Sequence, residues 1–265
     1  MEGPTGLGVT AHDFGLKGPR GWAFRGISVD AGPGALIAVR GPSGSGRTCL
    51  LLALTGRMKP TEGTATVGGR ALPRQMSAVR RTSALAHVPG VTDLDPALTV
   101  GEHLRERALL QRRFGDSVRG LLRPRGERAA QTRLRIDTAL AAAGLDREAL
   151  PKGSRTAVRD LERTEALRLS IALALIGRPG LLGVDDTDLK LSAAERAGIW
   201  SLLASIADSG TTVLAVCSEA PEGAVVVSTG PDDRDGAGRE EDEEEEDAED
   251  EEKGAADALA EAGRA

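Results

Sequence analysis

Short apolar runs, each closed by glycine or by polar residues, set the rhythm of this chain. ALIAVRG (35–41), GRPGLLGVDDTD (177–188), TTVLAVCS (211–218) and AVVVSTG (224–230) each hold an apolar stretch of strand length, as buried strands do. TCLLLALTGRM (48–58) reads as a helix with its polar start at Thr48. SAAERAGIWSLLASIAD (192–208) reads as another, with Ser192 at the N-cap and Glu195 three residues on, a capping-box pattern. Strands alternating with helices predict an α/β fold whose mostly parallel sheet is flanked by helices. A helical subdomain is expected over about 98–165.

Between the first strand and the first helix lies GPSGSGRT (41–48). The order strand, glycine loop, helix makes G-x-x-x-x-G-[KR]-[ST] credible as a phosphate-binding P-loop, because backbone N–H groups there turn toward one point at a helix N-terminus. Gly41, Pro42, Ser43, Gly44, Ser45, Gly46, Arg47 and Thr48 are therefore the expected nucleotide-binding residues, with Gly46 read as a point of close approach to the phosphates. The alternative at this stage is a glycine-rich turn without a ligand. Thr48 carries the hydroxyl that holds Mg²⁺ in such loops. Arg47 stands where a lysine is usual, and its forked, planar head is no simple substitute for a point charge. It retains the capacity to bind phosphate through paired hydrogen bonds.

The run over 177–188 closes on two aspartates. A carboxylate at a strand's C-terminal end beside a P-loop serves Mg²⁺, directly or through water, which assigns Asp185 to the metal. Asp186 is then the candidate to orient an attacking water, with a side chain one methylene shorter than glutamate. The bland reading of the pair is a loop cluster or a helix N-cap.

Charge divides the chain more sharply than its total of −6 implies. Residues 231–265 hold 17 acidic and 4 basic residues, a net −13, whereas 1–230 hold 30 basic against 23 acidic, a net +7. EEDEEEEDAEDEE (240–252) repels itself and has nothing to bury, so 231–265 is expected to be a disordered acidic tail behind a domain at 1–230. The tail is either drawn to the arginine-rich helical stretch or freely solvated. Arginine outnumbers lysine 29 to 5, which with abundant Ala and Gly points to a bacterial genome of high G+C content. Cys49 and Cys217 lie far apart without metal-type spacing, as in cytoplasmic proteins with reduced thiols. No leader pattern and no long apolar span is evident, so any work at a membrane needs a partner to hold the chain there.

Across residues 9–230 the sequence resembles the nucleotide-binding subunits of ATP-binding cassette (ABC) transporters. The resemblance rests on GISVDAGPGALIAVRGPSGSGRTCLLLALTGRMKPTEGTATVGG (26–69), DPALTVGEHL (95–104) and IALALIGRPGLLGVDDTD (171–188). It implies a P-loop NTPase fold and binding of ATP with Mg²⁺. It further implies a homo- or heterodimer, a membrane-spanning partner subunit, and a place at the inner face of the cell membrane through that partner. It also exposes departures. Gly90 falls nearest the family's loop glutamine, Leu161 to Glu165 (LERTE) replace the signature of serine, two glycines and glutamine, Ser218 replaces the switch histidine, and Ser192 replaces an aspartate. With Arg47 and Asp186 these touch nearly every part of a hydrolytic site, so hydrolysis is expected to be slow or absent.

Family members stack adenine on an aromatic residue upstream of the loop. Trp22 is the leading candidate, then Phe14 or Phe24, with simple packing as the alternative for Trp22. The arginines of LRERALLQRRFGDSVRGLLRPRGERAAQTRLR alternate with Glu106, Asp116 and Glu127 and lack a stacking series, so no nucleic-acid partner is expected. Besides an ATP-binding transport subunit, a soluble regulatory or scaffold module and a fully active transport ATPase remain open readings.

Overall fold

The computed structural model describes residues 6–114, 125–187 and 190–230. Nine strands and six α-helices occur among them. In chain order these are β1 (Val9–Gly18), β2 (Gly21–Ala31), β3 (Leu36–Arg40), α1 (Arg47–Leu54), β4 (Glu62–Val67), β5 (Arg70–Leu72), α2 (Met76–Thr82) and β6 (Ser83–Ala86). They continue with α3 (Val100–Phe114), α4 (Arg125–Ala142), α5 (Arg163–Leu175), β7 (Leu181–Val184), α6 (Ala193–Asp208), β8 (Thr212–Cys217) and β9 (Val225–Ser228). The chain divides into two units, Met1–Thr229 and Gly230–Ala265. Apart from Gly230, the second unit, and with it the expected acidic tail, lies outside the described residues. So does the middle of the expected helical subdomain, 115–124.

The strands form a parallel sheet in the order β6-β7-β8-β3-β9 and an antiparallel sheet in the order β2-β1-β4-β5. The parallel sheet is the one expected from the short apolar runs. β6, β7 and β8 and the middle of β3 are buried on both faces, whereas the edge strand β9 leaves Val226 exposed, and alternate residues serve two different cores. Ile37, Val39, Leu214, Val216, Leu85 and Leu181 face a core shared with α1 and the antiparallel sheet. Val213, Ala215, Ala84, Ala86, Leu182 and Val184 face a second core with Leu169, Ile171, Leu140, Val100 and Leu203 of the helices.

The antiparallel sheet was not separable by pattern. β1 and β2 pair through several register shifts, which break the strict alternation that would have marked them. The helix expected over 48–58 ends at Leu54. Thr55 turns its hydroxyl back on the Leu51 carbonyl at 2.7 Å, and Gly56 takes a left-handed φ of 74° against the Met76 carbonyl. The Ser192–Glu195 pattern folds as expected: the Ser192 N–H donates to Glu195 Oε2 at 2.8 Å, and the Glu195 N–H returns to Ser192 Oγ at 3.3 Å.

Because the five strands run the same way, their C-terminal ends share one edge. Register sets Arg40 opposite both Cys217 and Ser228, and Val184 opposite both Ala86 and Ala215. The residues that follow these ends are Gly41, Asp185, Ser218, His87 and Thr229.

Candidate nucleotide site

The glycine loop leaves β3 at this edge and enters α1. Gly44 and Gly46 have φ of 85° and 80°, the left-handed region that favours glycine. The two serve different ends. A Cβ on Gly44 would meet nothing within 4 Å, whereas one on Gly46 would overlap the Ala23 carbonyl of β2. Gly46 is therefore needed by the packing of the loop on the antiparallel sheet, before any ligand arrives, which changes the reason expected for it from sequence. Ser45 fastens the loop on its other side, donating to the Pro42 carbonyl at 2.8 Å and lying 2.6 Å from the Thr229 hydroxyl. No acidic residue occupies the first turn of α1, so the helix itself favours an anion at its N-terminus.

Thr48 and Asp185, assigned to one metal from sequence, are brought together: the Thr48 hydroxyl donates to Asp185 Oδ2 at 2.6 Å. The Asp185 carboxylate is buried and takes a second hydrogen bond from the Asp186 N–H at 2.9 Å. Burial pushes its pKa up from the ordinary carboxylate range, against the pull of those two bonds and of Arg47. A divalent cation would relieve that cost. Among the described residues no group of three or more His, Cys, Asp or Glu side chains could hold a metal unaided. A Mg²⁺ here would share its coordination with phosphate oxygens, as that ion commonly does. Asp186 has a φ of 48°, unusual for a residue other than glycine. The hydroxyl of the next residue, Thr187, donates to the Val216 carbonyl at 2.9 Å.

Arg47 Nη1 donates to the Cys217 carbonyl at 2.8 Å. Its head is thus tied to the end of β8, next to Ser218. Trp22 is part exposed on β2, with Lys17 Nζ 5.4 Å and the Arg25 guanidinium carbon 4.9 Å from its ring centroid. Phe14 and Phe24 are buried, with ring centroids 5.8 Å apart, and neither presents a face to a ligand.

Several of the positions singled out from sequence have local structural roles. Gly90 has a φ of 74° and its N–H donates to Asp93 Oδ2 at 2.9 Å, a turn in which a glutamine would be strained. Glu165 Oε2 accepts the Glu162 N–H at 2.8 Å, closing the start of α5. That carboxylate is spent on its own helix. Ser192 likewise serves as the cap of α6.

His87 escaped the sequence reading. It follows β6, the strand next to the one that ends in the aspartates, and its N–H donates to Ser170 Oγ at 2.7 Å. Its φ is 46° and its ring is half-buried. Burial, then Arg163, push its pKa below the usual histidine value, opposed by Asp186, Asp185 and Asp93. The signal available was only that it follows SALA by one residue, and strand order is needed to give that meaning.

The family model for ABC transporters matches residues 24–188. The Nod factor export ATP-binding protein I of Cupriavidus metallidurans is 31% identical over 188 residues, covering 71% of this chain and 55% of that protein. Its namesake in Ralstonia nicotianae is 31% identical over 189 residues, covering 71% and 52%. Among solved structures, a bacterial ABC transporter cassette in dimeric form superposes with a TM-score of 0.61 at 20% identity, over 80% of this chain and 88% of that one. The cassette cbiO1 of Clostridium perfringens gives 0.63 at 17%, over 80% and 78%. Those two likenesses concern the fold. The chain belongs to the ABC transporter family and is an ATP-binding cassette of it. It spans about half the length of the curated relatives it matches.

Gly46→Ala should destabilise the fold by about 2–5 kcal/mol, summing overpacking of about 1–3 and a left-handed cost of about 1–2 kcal/mol. Gly44→Ala should lose only the second of these. Urea denaturation of the two variants checks this; equal losses would refute the packing role of Gly46. For His87, a depressed pKa means that the fold resists its protonation, so the stability it confers is present above about pH 6.5 and lost as pH falls below that value. Denaturation at pH 7.5 and 5.0 should show a larger loss for the native chain than for His87→Asn, a residue that tolerates the same backbone.

Proposed function

We propose that this chain is the ATP-binding subunit of a membrane transport complex, and that it binds ATP with Mg²⁺ but turns it over slowly or not at all. The observation that carries the proposal is the coincidence of an anion-favouring loop and helix start with a buried carboxylate 2.6 Å from the loop's own threonine. In this reading Gly41 to Thr48 hold the phosphates, chiefly through backbone N–H groups, Thr48 and Asp185 hold the metal, and Trp22 lies against adenine. Bound Mg²⁺ would neutralise charge between the phosphate oxygens and Asp185.

Slow turnover follows from what the reacting end lacks. Arg47 is engaged by a strand carbonyl, Asp186 is short and held in a left-handed turn, and Ser218 cannot carry a proton as an imidazole can. A misplacement of about 1 Å at such a site costs about 10²-fold in rate. His87 is the imidazole near the aspartates, and it enters from a different strand end.

The transport reading draws on the relatives, whose names describe export ATP-binding proteins, and on the bacterial cassette solved as a dimer. Among the described residues no helix is long and apolar enough to cross a membrane. A membrane-spanning partner, a dimeric state and a position at the inner face of the cell membrane belong to this proposal. So do a nucleotide-binding domain at 1–230, with its helical subdomain at about 98–165, and an acidic tail at 231–265.

Calorimetric titration should give an ATP affinity between micromolar and millimolar, strengthened by Mg²⁺ and weakened by Thr48→Val. Arg47→Lys alone should leave steady-state turnover within about tenfold of the native value, because contributions to one transition state are not additive. Absence of binding at millimolar ATP would defeat the proposal, and brisk turnover in the lysine variant would place the whole defect at Arg47.

A further inference from the structure

Helices α3 and α4 and the turn over 145–150 border an open groove of about 420 Å³ that shares no residue with the nucleotide edge. Arg105 of α3, Arg133 of α4 and Arg147 of the turn line it, and no carboxylate does among the described residues. Ala129 and Ile136 supply apolar lining, and Ser154 a hydroxyl.

The frame of the groove is set by the fold itself. The Val100 N–H donates to the Thr156 carbonyl at 3.0 Å, and a Cβ on Gly101 would lie 2.9 Å from the Ser154 carbonyl, so the start of α3 sits directly on the turn at Gly153–Arg155. Ala139 and Leu140 anchor α4 in the second core. Arg147 is tied to α4 through Nη2, which donates to Asp137 Oδ1 at 2.6 Å. That bond orients the guanidinium while using one of its five N–H donors.

The other two cations are less well answered. Glu102 lies within electrostatic reach of Arg105, one turn earlier on α3, but its carboxylate accepts the Thr99 N–H at 2.8 Å and the Thr99 hydroxyl at 2.7 Å. Arg133 makes no hydrogen bond or ion pair among the described residues. Like charges gathered along one groove repel, and an anion placed among them relieves that cost. Guanidinium forks fit carboxylate and phosphate alike. Three of them from three separate elements suit a tetrahedral phosphate with three acceptor oxygens better than a planar carboxylate with two. We infer that this groove binds a phosphate-bearing ligand, with the phosphate held by Arg105, Arg133 and Arg147 and the remainder against Ala129 and Ile136. A soluble phosphate compound and an anionic lipid headgroup share that chemistry. The inference stands apart from the nucleotide reading, because the two sites have no residue in common.

The test reads the groove itself, through the Nε–Hε resonances of ¹⁵N-labelled arginine in the full chain as tripolyphosphate is added. The signals of Arg105, Arg133 and Arg147 should move together along one saturable curve, with a dissociation constant below about 1 mM, while that of the exposed Arg81 on α2 stays in place. Combining Arg105→Gln with Arg133→Gln should weaken the curve reported by Arg147 about tenfold or more, and the corresponding lysine pair should weaken it less. Sedimentation with phosphatidylcholine vesicles that contain or lack phosphatidic acid distinguishes the sources. Sedimentation that needs phosphatidic acid and is lost in the double glutamine variant, but not in Arg81→Gln, would identify a lipid headgroup; a tripolyphosphate response alone would identify a soluble ligand. Shifts that do not saturate or that Arg81 shares, an Arg147 curve indifferent to the double glutamine variant, polyglutamate binding as tightly as tripolyphosphate, or no response to either probe would each overturn the inference.

Discussion

Five strands that run in one direction force five chain ends onto one edge, and the chemistry of this protein depends on that alignment. The strands share a direction because the chain is returned between them, through helices before β6, β7 and β8 and through the short segment 218–224 before β9; helices cover one face of the sheet while the antiparallel sheet and α1 cover the other. The alternation of residues between two cores fixes the register, since a slip of one residue would exchange the faces. Fixed register in turn sets Arg40 against Cys217 and Val184 against Ala215. The loop, the aspartates and the end of β8 are thereby held within hydrogen-bonding reach of one another.

At that edge the interactions compete. Asp185 bears the cost of burial as an anion and is answered by one hydroxyl and one backbone N–H. Arg47 lowers that cost slightly from a distance, but its hydrogen bond goes to the Cys217 carbonyl. The arginine has become part of the joint between the loop and β8, a role for which a long, planar donor is well suited. Gly46 fixes the loop to β2 and Ser45 approaches Thr229, so the loop is held from both sheets. The result is a glycine loop held in place before any ligand arrives, beside a buried carboxylate that carries the cost of its own burial.

The parallel strands, the loop and the Asp185–Thr48 pairing were legible in the sequence because each depends on local pattern. An apolar run followed by glycines and a hydroxyl, or by paired aspartates, needs nothing distant to be recognised. The capping box at Ser192 belongs to the same class. His87 was not legible, since its importance comes from β6 lying beside β7, a neighbour almost a hundred residues away in sequence. The antiparallel sheet was hidden by its register shifts. The carboxylate of Glu165 is a cap whose direction only the helix start reveals.

The central claim, that the site holds ATP without readily splitting it, is tested most directly by recovering the nucleotide after binding. The full chain incubated with Mg²⁺ and radiolabelled ATP, then freed of excess nucleotide and denatured in acid, should release chiefly intact ATP after minutes at 25 °C. Release of chiefly ADP and phosphate on that timescale would contradict the account.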